Sequence, residues 1–402
     1  MNSPAAAPAE NLVDLSRDAD AFYQNPYEVL ARLRDQGPVH FVRLPGGSRL
    51  WLIVGHEAGH AALNEPTMSK DWLRATGRVG PGAIGASMIS SDPPDHTRLR
   101  RLVSKQFTAR RIAALAPLIQ NVTDDLLDRM ARPGGPRDLV AEFALPLPVT
   151  VISEVLGVPS LDRAAFSELC AGIFEPSADA DTARAHVQQI NDYFDRLIGQ
   201  KRKDPGTDLL SALIAARDSD AGRLTHPELR ATTFLLLVAG HATTTNLIAN
   251  GMLALLDHPE QLTALRSDWD LLPGAVEEIL RYDGPQPLST RRFTTEPWRP
   301  PGSDTVIAAG ETVMVALAAV NRDVERFVRP DDFDIRRTGS AHLSFGHGIH
   351  YCLGAPLARL QVGIALRSLL TRFPDIRRGP SDLRYRTTLL TRALTRLPVL
   401  LS

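Results

Sequence analysis

The decapeptide FGHGIHYCLG, residues 345–354, is the stretch of sequence that decides the fold. It places Cys352 directly before residues 355–373, in which apolar side chains recur at the spacing of a helix. The N-terminus of a helix carries a partial positive charge, which favours a thiolate at this position. Glycines around the cysteine let the backbone approach a flat object closely. The loop therefore predicts a site where a thiolate meets a flat ligand.

Three interpretations of Cys352 compete. A buried packing residue is the usual role of a single cysteine, and it suits Cys170. Packing does not explain why Gly346, Gly348 and Gly354 flank Cys352. A zinc site would need further ligands at short spacing, and the chain has no CxxC pair. A single thiolate fits an axial haem ligand best.

Composition narrows the functional classes. The 402 residues include 45 basic and 46 acidic side chains, so no excess of positive charge indicates nucleic acid or an anionic membrane as a partner. Two cysteines provide no disulfide framework and suggest a reducing compartment. The N-terminus, MNSPAAAPAE, lacks the pattern of a signal peptide, and no apolar run approaches the roughly 18 residues of a membrane span. We expect a cytoplasmic protein without a membrane span.

Periodicity predicts a mainly α protein with a minor β region. Most of the chain has helical spacing, whereas short strand-like runs and proline-rich turns occupy two smaller parts. We expect a disordered N-terminus over 1–10, one domain over 11–402, a helix-rich core over 92–282 and 355–373, and β-rich parts over 38–56 and 285–335.

A long helix is predicted from Thr225, where Glu228 completes a capping box, to Asp257. Its centre contains AGHATTT, residues 239–245, although glycine costs about 1 kcal/mol in a helix interior. Two interpretations remain open. Gly240 could permit close helix packing while threonine hydroxyls bond back to carbonyls. Alternatively, the helix could open locally and present polar groups to a small ligand.

The cysteine loop matches in full the pattern F-G-x-G-x-H-x-C-x-G, and by it the chain resembles the cytochrome P-450 superfamily in its soluble bacterial branch. The resemblance covers essentially the whole chain. It implies the cytochrome P-450 fold, a helical triangular prism with haem b between the long central helix and the cysteine loop. It also implies that Cys352 is the axial ligand of the haem iron. Other residues implied to contact the haem are Phe345, Gly346, Gly354 and Ala239.

A second motif of this family is Glu278-x-x-Arg281. Residues at i and i+3 share a helix face, and such a pair alone is common on exposed helices. The resemblance implies that this pair is buried, binds Arg337 and has a structural role behind the cysteine loop. Arg336 is the alternative partner.

Four basic residues are implied to bind the haem propionates. His96 and Arg100 lie at i and i+4, and by themselves they could form a solvated basic face. The resemblance adds Arg292 and His350, with Arg291 as a less favoured substitute. Charge-assisted hydrogen bonds from these groups would suit two carboxylates.

The AGHATTT stretch resembles the oxygen-binding groove of the family, which implies a locally distorted helix over the haem. The resemblance also implies catalytic roles for Gly240, Ala242, Thr243 and Thr244. Thr243 would be the proton-donating hydroxyl. The sequence departs from the family pattern because Ala242 occupies the usual position of an acid. Proton delivery by a carboxylate therefore cannot be assumed.

The reaction implied is activation of O2 and insertion of one oxygen atom into a C–H or C=C bond. The chain has no flavin or nucleotide fingerprint, so electrons from NAD(P)H are expected through a ferredoxin and a ferredoxin reductase. Basic residues that could attract an acidic partner are Arg101, Lys105, Arg110, Arg111 and Arg359.

Apolar residues at family positions predict a pocket for a lipophilic substrate such as a macrolide, terpenoid or steroid. The alternatives are aromatic coupling or peroxide-driven oxidation by a haem-thiolate protein, and a non-catalytic haem-binding sensor. The candidate pocket residues are Ile84, Met88, Phe174, Leu235, Leu236, Leu288, Ser289 and Leu390.

Overall fold

The computed structural model describes residues 12–72, 87–132, 134–159, 180–218, 224–339 and 341–401. Helices dominate these ranges, as the sequence predicts. They are α1 (Ala19–Gln24), α2 (Tyr27–Gln36), α3 (His56–Asn64), α4 (Asp95–Ser104), α5 (Ala109–Ala113), α6 (Ala116–Met130), α7 (Pro146–Leu156), α8 (Ala180–Lys203), α9 (Leu209–Asp218), α10 (His226–Asp257), α11 (Pro259–Ser267), α12 (Leu272–Asp283), α13 (Leu317–Val320) and α14 (Ala355–Arg372).

The strands form two small sheets. A six-stranded sheet has the order β1-β2-β3-β7-β6-β4, and a three-stranded sheet has the order β5-β9-β8. Strands β2, β3, β6 and β7 lie within residues 38–56 and 285–335, whereas the other strands lie outside these ranges and were not predicted. The strands are β1 (Val13–Asp14), β2 (Val39–Arg43), β3 (Arg49–Ile53), β4 (Met68–Ser69), β5 (Arg137–Asp138), β6 (Arg292–Thr294), β7 (Thr312–Val315), β8 (Arg377–Arg378) and β9 (Pro398–Leu400).

The central helix α10 has the predicted bounds and the predicted start. The Thr225 hydroxyl accepts from the Glu228 amide, and the Glu228 carboxylate accepts from the Thr225 amide. Its 32 residues span roughly 50 Å. Helices α7, α12 and α14 pack around it. The helix is unbroken through residues 239–245, so the local opening considered for this stretch is absent.

The main apolar core joins segments that are distant in sequence. One cluster of buried side chains includes Ile112 before α6, Leu247 on α10, Leu366 on α14 and Val399 on β9. A second cluster gathers α4, α7, α8 and α9 around the first half of α10. The middle of α10 therefore lies between two cores. No helix in the described ranges is long and apolar enough to cross a membrane.

Candidate active site

The cysteine loop is built by backbone hydrogen bonds and by glycines with a left-handed conformation. The Cys352 amide donates to the Phe345 carbonyl at 2.9 Å, which closes the loop, and α14 begins three residues later. Gly346 and Gly348 have φ of 70° and 68°. A Cβ on Gly348 would lie 2.9 Å from Oδ1 of Asn64 on α3, so a larger residue has no room.

The thiol of Cys352 is subject to opposing effects. The surrounding protein raises the pKa of the thiol, although solvent can reach the residue. Hydrogen bonds from the backbone amides of Gly354 and Ala355 and the charge of Arg100 act in the opposite direction. The amides lie at the start of α14, as expected for a thiolate site at a helix N-terminus. The described residues contain no group of three or more His, Cys, Asp or Glu side chains that could hold a metal ion.

Five cationic or basic side chains gather beside this loop. The imidazole rings of His96 and His350 have centroids 4.3 Å apart, and Arg100 donates to the Tyr351 carbonyl at 2.6 Å. His96 is 2% exposed and Arg292 is 4% exposed. Neither ring nitrogen of His96, nor Nε of Arg292, has a hydrogen-bond partner among the described residues.

Lys70 is the member of this cluster that the sequence analysis missed. Its ammonium group is buried, donates to the Thr290 hydroxyl, and also donates to the Arg291 carbonyl at 2.9 Å. Burial and the neighbouring positive charge of Arg292 hold the pKa of Lys70 well below its ordinary value. A lysine in the segment TMSKDW has no sequence pattern that identifies it, and only the pairing of β4 with β6 brings it to the site.

The charges in the cluster repel one another. Burial, followed by the positive charges of Lys70, His96, Arg292 and Arg100, lowers the pKa of His350 to about 2. Burial lowers the pKa of Arg292 to about 10. Within the described ranges, Asp92 is the one carboxylate that acts on Lys70, His96 and Arg292. Such a cluster fits a dianionic ligand, because buried cations without partners need anions. The residues present therefore fit the two propionates of a haem.

Arg291, the less favoured substitute for Arg292, faces elsewhere. Its side chain is exposed and donates to the Ser48 hydroxyl at 3.1 Å. Arg292 lies on β6, where alternation directs it to the opposite side.

The middle of α10 presents small residues on one face. Ala239 is exposed, and Ala242 and Thr243 are half-buried, although the flanking turns are buried. These positions, i, i+3 and i+4, share one side of the helix. The Thr243 hydroxyl donates to the Ala239 carbonyl at 3.0 Å, and the Thr244 hydroxyl makes a longer contact of 3.5 Å with the Gly240 carbonyl. This back-bonding, and not an open helix, accommodates the threonines.

Gly240 and His241 lie away from that face. A Cβ on Gly240 would approach Cγ1 of Ile152 on α7 to 2.7 Å, so the glycine permits close helix packing. His241 is buried, and its Nδ1 lies 2.8 Å from the Leu237 carbonyl, to which it donates. Burial lowers the pKa of His241. Leu353, next to Cys352, packs on the apolar cluster that includes Leu235 of α10.

The Glu278–Arg281 pair is fully buried on α12. Both carboxylate oxygens of Glu278 accept from Arg281 at 2.7 Å, and both also lie within 3.2 Å of Nε of Arg337. Arg281 further donates to three backbone carbonyls, and Arg336 is exposed. The arginine from FDIRR at this pair is therefore Arg337.

The candidate pocket residues do not form one group. Met88, Leu235 and Leu236 belong to one buried apolar cluster, whereas Leu288 belongs to another. The Ser289 hydroxyl accepts from the Val315 amide at 2.9 Å, so it is engaged in strand pairing, and Leu390 is 50% exposed. Ile84 and Phe174 lie outside the described residues.

One expectation about the basic surface requires correction. Arg101, Lys105, Arg110 and Arg111 are exposed, but Arg359 is half-buried and paired with Glu277 at 2.6 Å. Arg359 is therefore not a free surface charge.

A thiol at a helix N-terminus beside basic side chains with unused hydrogen-bond donors is the arrangement that a haem-thiolate enzyme requires. The sequence profile of the cytochrome P-450 family matches residues 18–374, and the chain belongs to this family. It is an oxidoreductase of the monooxygenase type. Membership implies haem-thiolate iron, O2 and electrons from redox partners.

Two curated relatives and one solved structure illustrate the similarity. The chain is 49% identical to the cytochrome P-450 monooxygenase PikC of Streptomyces venezuelae, over 99% of this chain and 96% of PikC. It is 40% identical to 6-deoxyerythronolide B hydroxylase of Saccharopolyspora erythraea, over 95% and 97% of the two chains. The structure of tirandamycin C-bound monooxygenase TamI has a TM-score of 0.89, with 43% identity over 97% of this chain and 100% of TamI.

Proposed function

We propose that Cys352 is the only protein ligand to a haem iron, and that the enzyme inserts one atom of O2 into a lipophilic small molecule. The observation that carries this proposal is the basic cluster beside the cysteine loop, in which both ring nitrogens of buried His96 and Nε of buried Arg292 have no hydrogen-bond partner among the described residues. Haem supplies the O2-activating iron when it is bound. The amides of Gly354 and Ala355, with the positive end of α14, would stabilise the anionic form of the sulfur against the effect of burial.

The haem carboxylates would be held by Lys70, His96, Arg100, Arg292 and His350. Each of these side chains offers a donor, and unused donors on His96 and Arg292 support their assignment. The cluster orients the cofactor because its members come from separate elements: Lys70 follows β4, His96 and Arg100 lie on α4, and Arg292 begins β6. Phe345, Gly346 and Ala239 would contact the macrocycle.

On the α10 side, Ala239 and Ala242 leave room for O2 and water, and Thr243 supplies a hydroxyl. That hydroxyl can rotate from the Ala239 carbonyl to donate a proton to a ligand. Because Ala242 provides no carboxylate, protons would arrive through waters held by Thr243 and Thr244, with help from polar groups of the substrate. His241 is not part of this route, since it is buried and bonded to Leu237.

The substrate is proposed to be a macrolide or a similarly lipophilic, ring-containing natural product. Relatives of this chain are named for 6-deoxyerythronolide B, mycinamicin IV and vitamin D3. Apolar Met88, Leu235 and Leu236 support such a choice. Electrons from NAD(P)H would come through a ferredoxin and its reductase. The exposed Arg101, Lys105, Arg110 and Arg111 suit an acidic partner.

The test is the spectrum of the reduced protein under carbon monoxide. The wild type should give the strongly red-shifted Soret band of thiolate ligation, and Cys352→His should lose both this band and oxygenation while it can retain haem. Cys170→Ser is the matched control and should leave the spectrum unchanged. A red-shifted band that persists in Cys352→His would refute the assignment.

A further inference from the structure

Two adjacent glutamates on α12 hold different parts of the molecule. Glu278 points into the buried pair with Arg281, whereas Glu277 points toward the cysteine loop and α14. Oε1 of Glu277 accepts from Nε of Arg359 at 2.6 Å, and Oε2 accepts from Nη2 at 2.9 Å. This bidentate geometry is the stronger kind of arginine–carboxylate interaction. The pair joins residues that are 82 positions apart in the sequence.

His342 adds a third side chain to this pair. Its Nε2 lies 3.2 Å from Oε2 of Glu277, and its Nδ1 accepts from the Ser344 amide at 3.2 Å. Because Nδ1 is an acceptor, the proton of the neutral ring is on Nε2, and His342 donates to the carboxylate. The ring therefore fixes the backbone immediately before Phe345, where the cysteine loop begins.

Arg359 contacts the cysteine loop at two places. Its guanidinium carbon lies 4.6 Å from the ring centroid of Phe345, a distance suited to a cation–π interaction. Its Nη1 also lies 3.4 Å from the Tyr351 hydroxyl. Phe345 begins the loop and Tyr351 directly precedes Cys352, and the Phe345 carbonyl accepts from the Cys352 amide. One guanidinium thus links α12 to both sides of the loop.

The electrostatics agree with this geometry. Hydrogen bonds from Arg359 and His342 outweigh the effect of burial and lower the pKa of Glu277 to about 2, so the carboxylate is ionised at neutral pH. The positive charge of Arg359 also acts on the Cys352 sulfur. An exposed ion pair contributes little to stability. The Glu277–Arg359 pair is half-buried and bidentate, and Arg359 stacks on the Phe345 ring. Its contribution to the stability of the loop should therefore exceed that of a surface ion pair.

We propose that Glu277, His342 and Arg359 form a clamp that positions the cysteine loop, keeps the Cys352 sulfur on the iron as a thiolate, and raises the haem reduction potential. This inference rests on the proposed function, since it requires Cys352 to be the axial ligand. The three side chains are positioning residues that act through Phe345 and Tyr351. Loss of the Arg359 charge makes the surroundings of the sulfur more negative, which disfavours addition of an electron.

The experiment compares three variants of the haem-loaded protein. Arg359→Gln removes the charge and the clamp. Arg359→Lys keeps the charge but loses the bidentate geometry. Arg367→Gln is the matched control, because Arg367 is an exposed residue further along the same helix, with its guanidinium 5.6 Å from the Trp269 ring. The measurements are the reduction potential and the fraction of the carbonyl complex that retains the thiolate-type Soret band during mild urea treatment.

Arg359→Gln should shift the one-electron equilibrium about tenfold toward the oxidised form, equivalent to about 59 mV, and should lose the thiolate-type band at lower urea than the wild type. Arg359→Lys should have a reduction potential close to that of the wild type. It should lose the thiolate-type Soret band at a urea concentration between those of the wild type and Arg359→Gln. Glu277→Gln should also lose the thiolate-type band at lower urea than the wild type. This result would show that the effect does not arise from position 359 alone. Circular dichroism would establish that each variant is folded.

Unchanged potential and unchanged band retention in folded Arg359→Gln would overturn the clamp. Equal effects in Arg367→Gln would also overturn it, because they would show general weakening of α14. A wild-type protein without the thiolate-type band would instead remove the assignment of Cys352, and the clamp with it, so the two failures are distinguishable.

Discussion

The two sides of the proposed haem site are built in different ways. The cysteine loop contains left-handed glycines and is contacted by the charge network of Glu277, and the buried charge network of Glu278 begins at the next residue of α12. On the α10 side, the hydroxyls of Thr243 and Thr244 bond to carbonyls of their own helix. One side depends on segments that are distant in sequence, and the other on a single helix with small residues. The comparison indicates that substitutions on the cysteine-loop side, the ligand side, should disrupt the fold. Substitutions on the α10 side, the oxygen side, should leave the fold intact.

The largest effect is expected from Glu278→Ala, which tests the rigidity of the ligand side. Its loss leaves Arg281 and Arg337 without their carboxylate, and breaking such a buried pair costs about 3 to 5 kcal/mol of the free energy of unfolding. We expect an unstable, haem-poor protein in denaturant unfolding and haem titration. Arg336→Ala, at an exposed neighbour, is the control. A stable, fully loaded Glu278→Ala protein would contradict the role of this pair.

A smaller loss is expected from Gly240→Ala, which tests how tightly α10 is packed on the side away from the small-residue face. The new methyl group would meet Ile152, and such overpacking typically costs about 1 to 3 kcal/mol. Gly199→Ala on α8 is the matched control, since a Cβ there meets no atom within 4 Å and should stabilise the helix by up to about 1 kcal/mol. In thermal unfolding, the melting temperature should fall in Gly240→Ala and rise in Gly199→Ala. Equal shifts of the two melting temperatures would argue against close packing at Gly240.

Lys70→Met separates haem binding from protein stability. A hydrogen bond to a charged group contributes about 1.5 to 3 kcal/mol, so haem transfer to an acceptor protein should accelerate about tenfold or more. The haem-free protein should not lose stability, because the variant removes a buried charge near Arg292. Lys105→Met, at an exposed lysine, should change neither quantity. If the haem-free variant alone were destabilised, Lys70 would be a structural donor to Thr290 and not a haem ligand.

The smallest change in rate is expected on the oxygen side. Thr243→Ala should lower product formed per reducing equivalent a few-fold and release peroxide, below the roughly 10²-fold typical of general acid catalysis, because Ala242 already lacks a carboxylate. His241→Ala should change this coupling little, since His241 is bonded to Leu237. Product and peroxide assays with both variants provide the measurement. Full coupling in Thr243→Ala together with uncoupling in His241→Ala would make His241 the proton donor.

Sequence patterns predicted the elements that have local signals. The capping box and apolar centre located α10, and the glycine-flanked cysteine located the loop before α14. Lys70 and the Glu277–Arg359 pair were missed because tertiary contacts alone bring these residues to the site. Strands of two residues, such as β5 and β8, are too short for periodicity to identify. The resemblance favoured a locally distorted helix over 239–245, and this prediction was wrong, because α10 is continuous and the Thr243 hydroxyl bonds back to the Ala239 carbonyl.

The central helix α10 is synthesised before several of the segments that pack against it. Helix α7 precedes α10, but α12 and α14 follow it, and Val399 belongs to the same apolar cluster as Leu247. Until these later segments emerge from the ribosome, part of the surface of α10 remains uncovered, and exposed apolar surface promotes aggregation of folding intermediates. Cys352 leaves the ribosome just before α14, so the ligand loop and the last cover of α10 become available together. We therefore expect haem to be captured late in folding, which makes the supply of haem at that stage a determinant of how much chain reaches the native state.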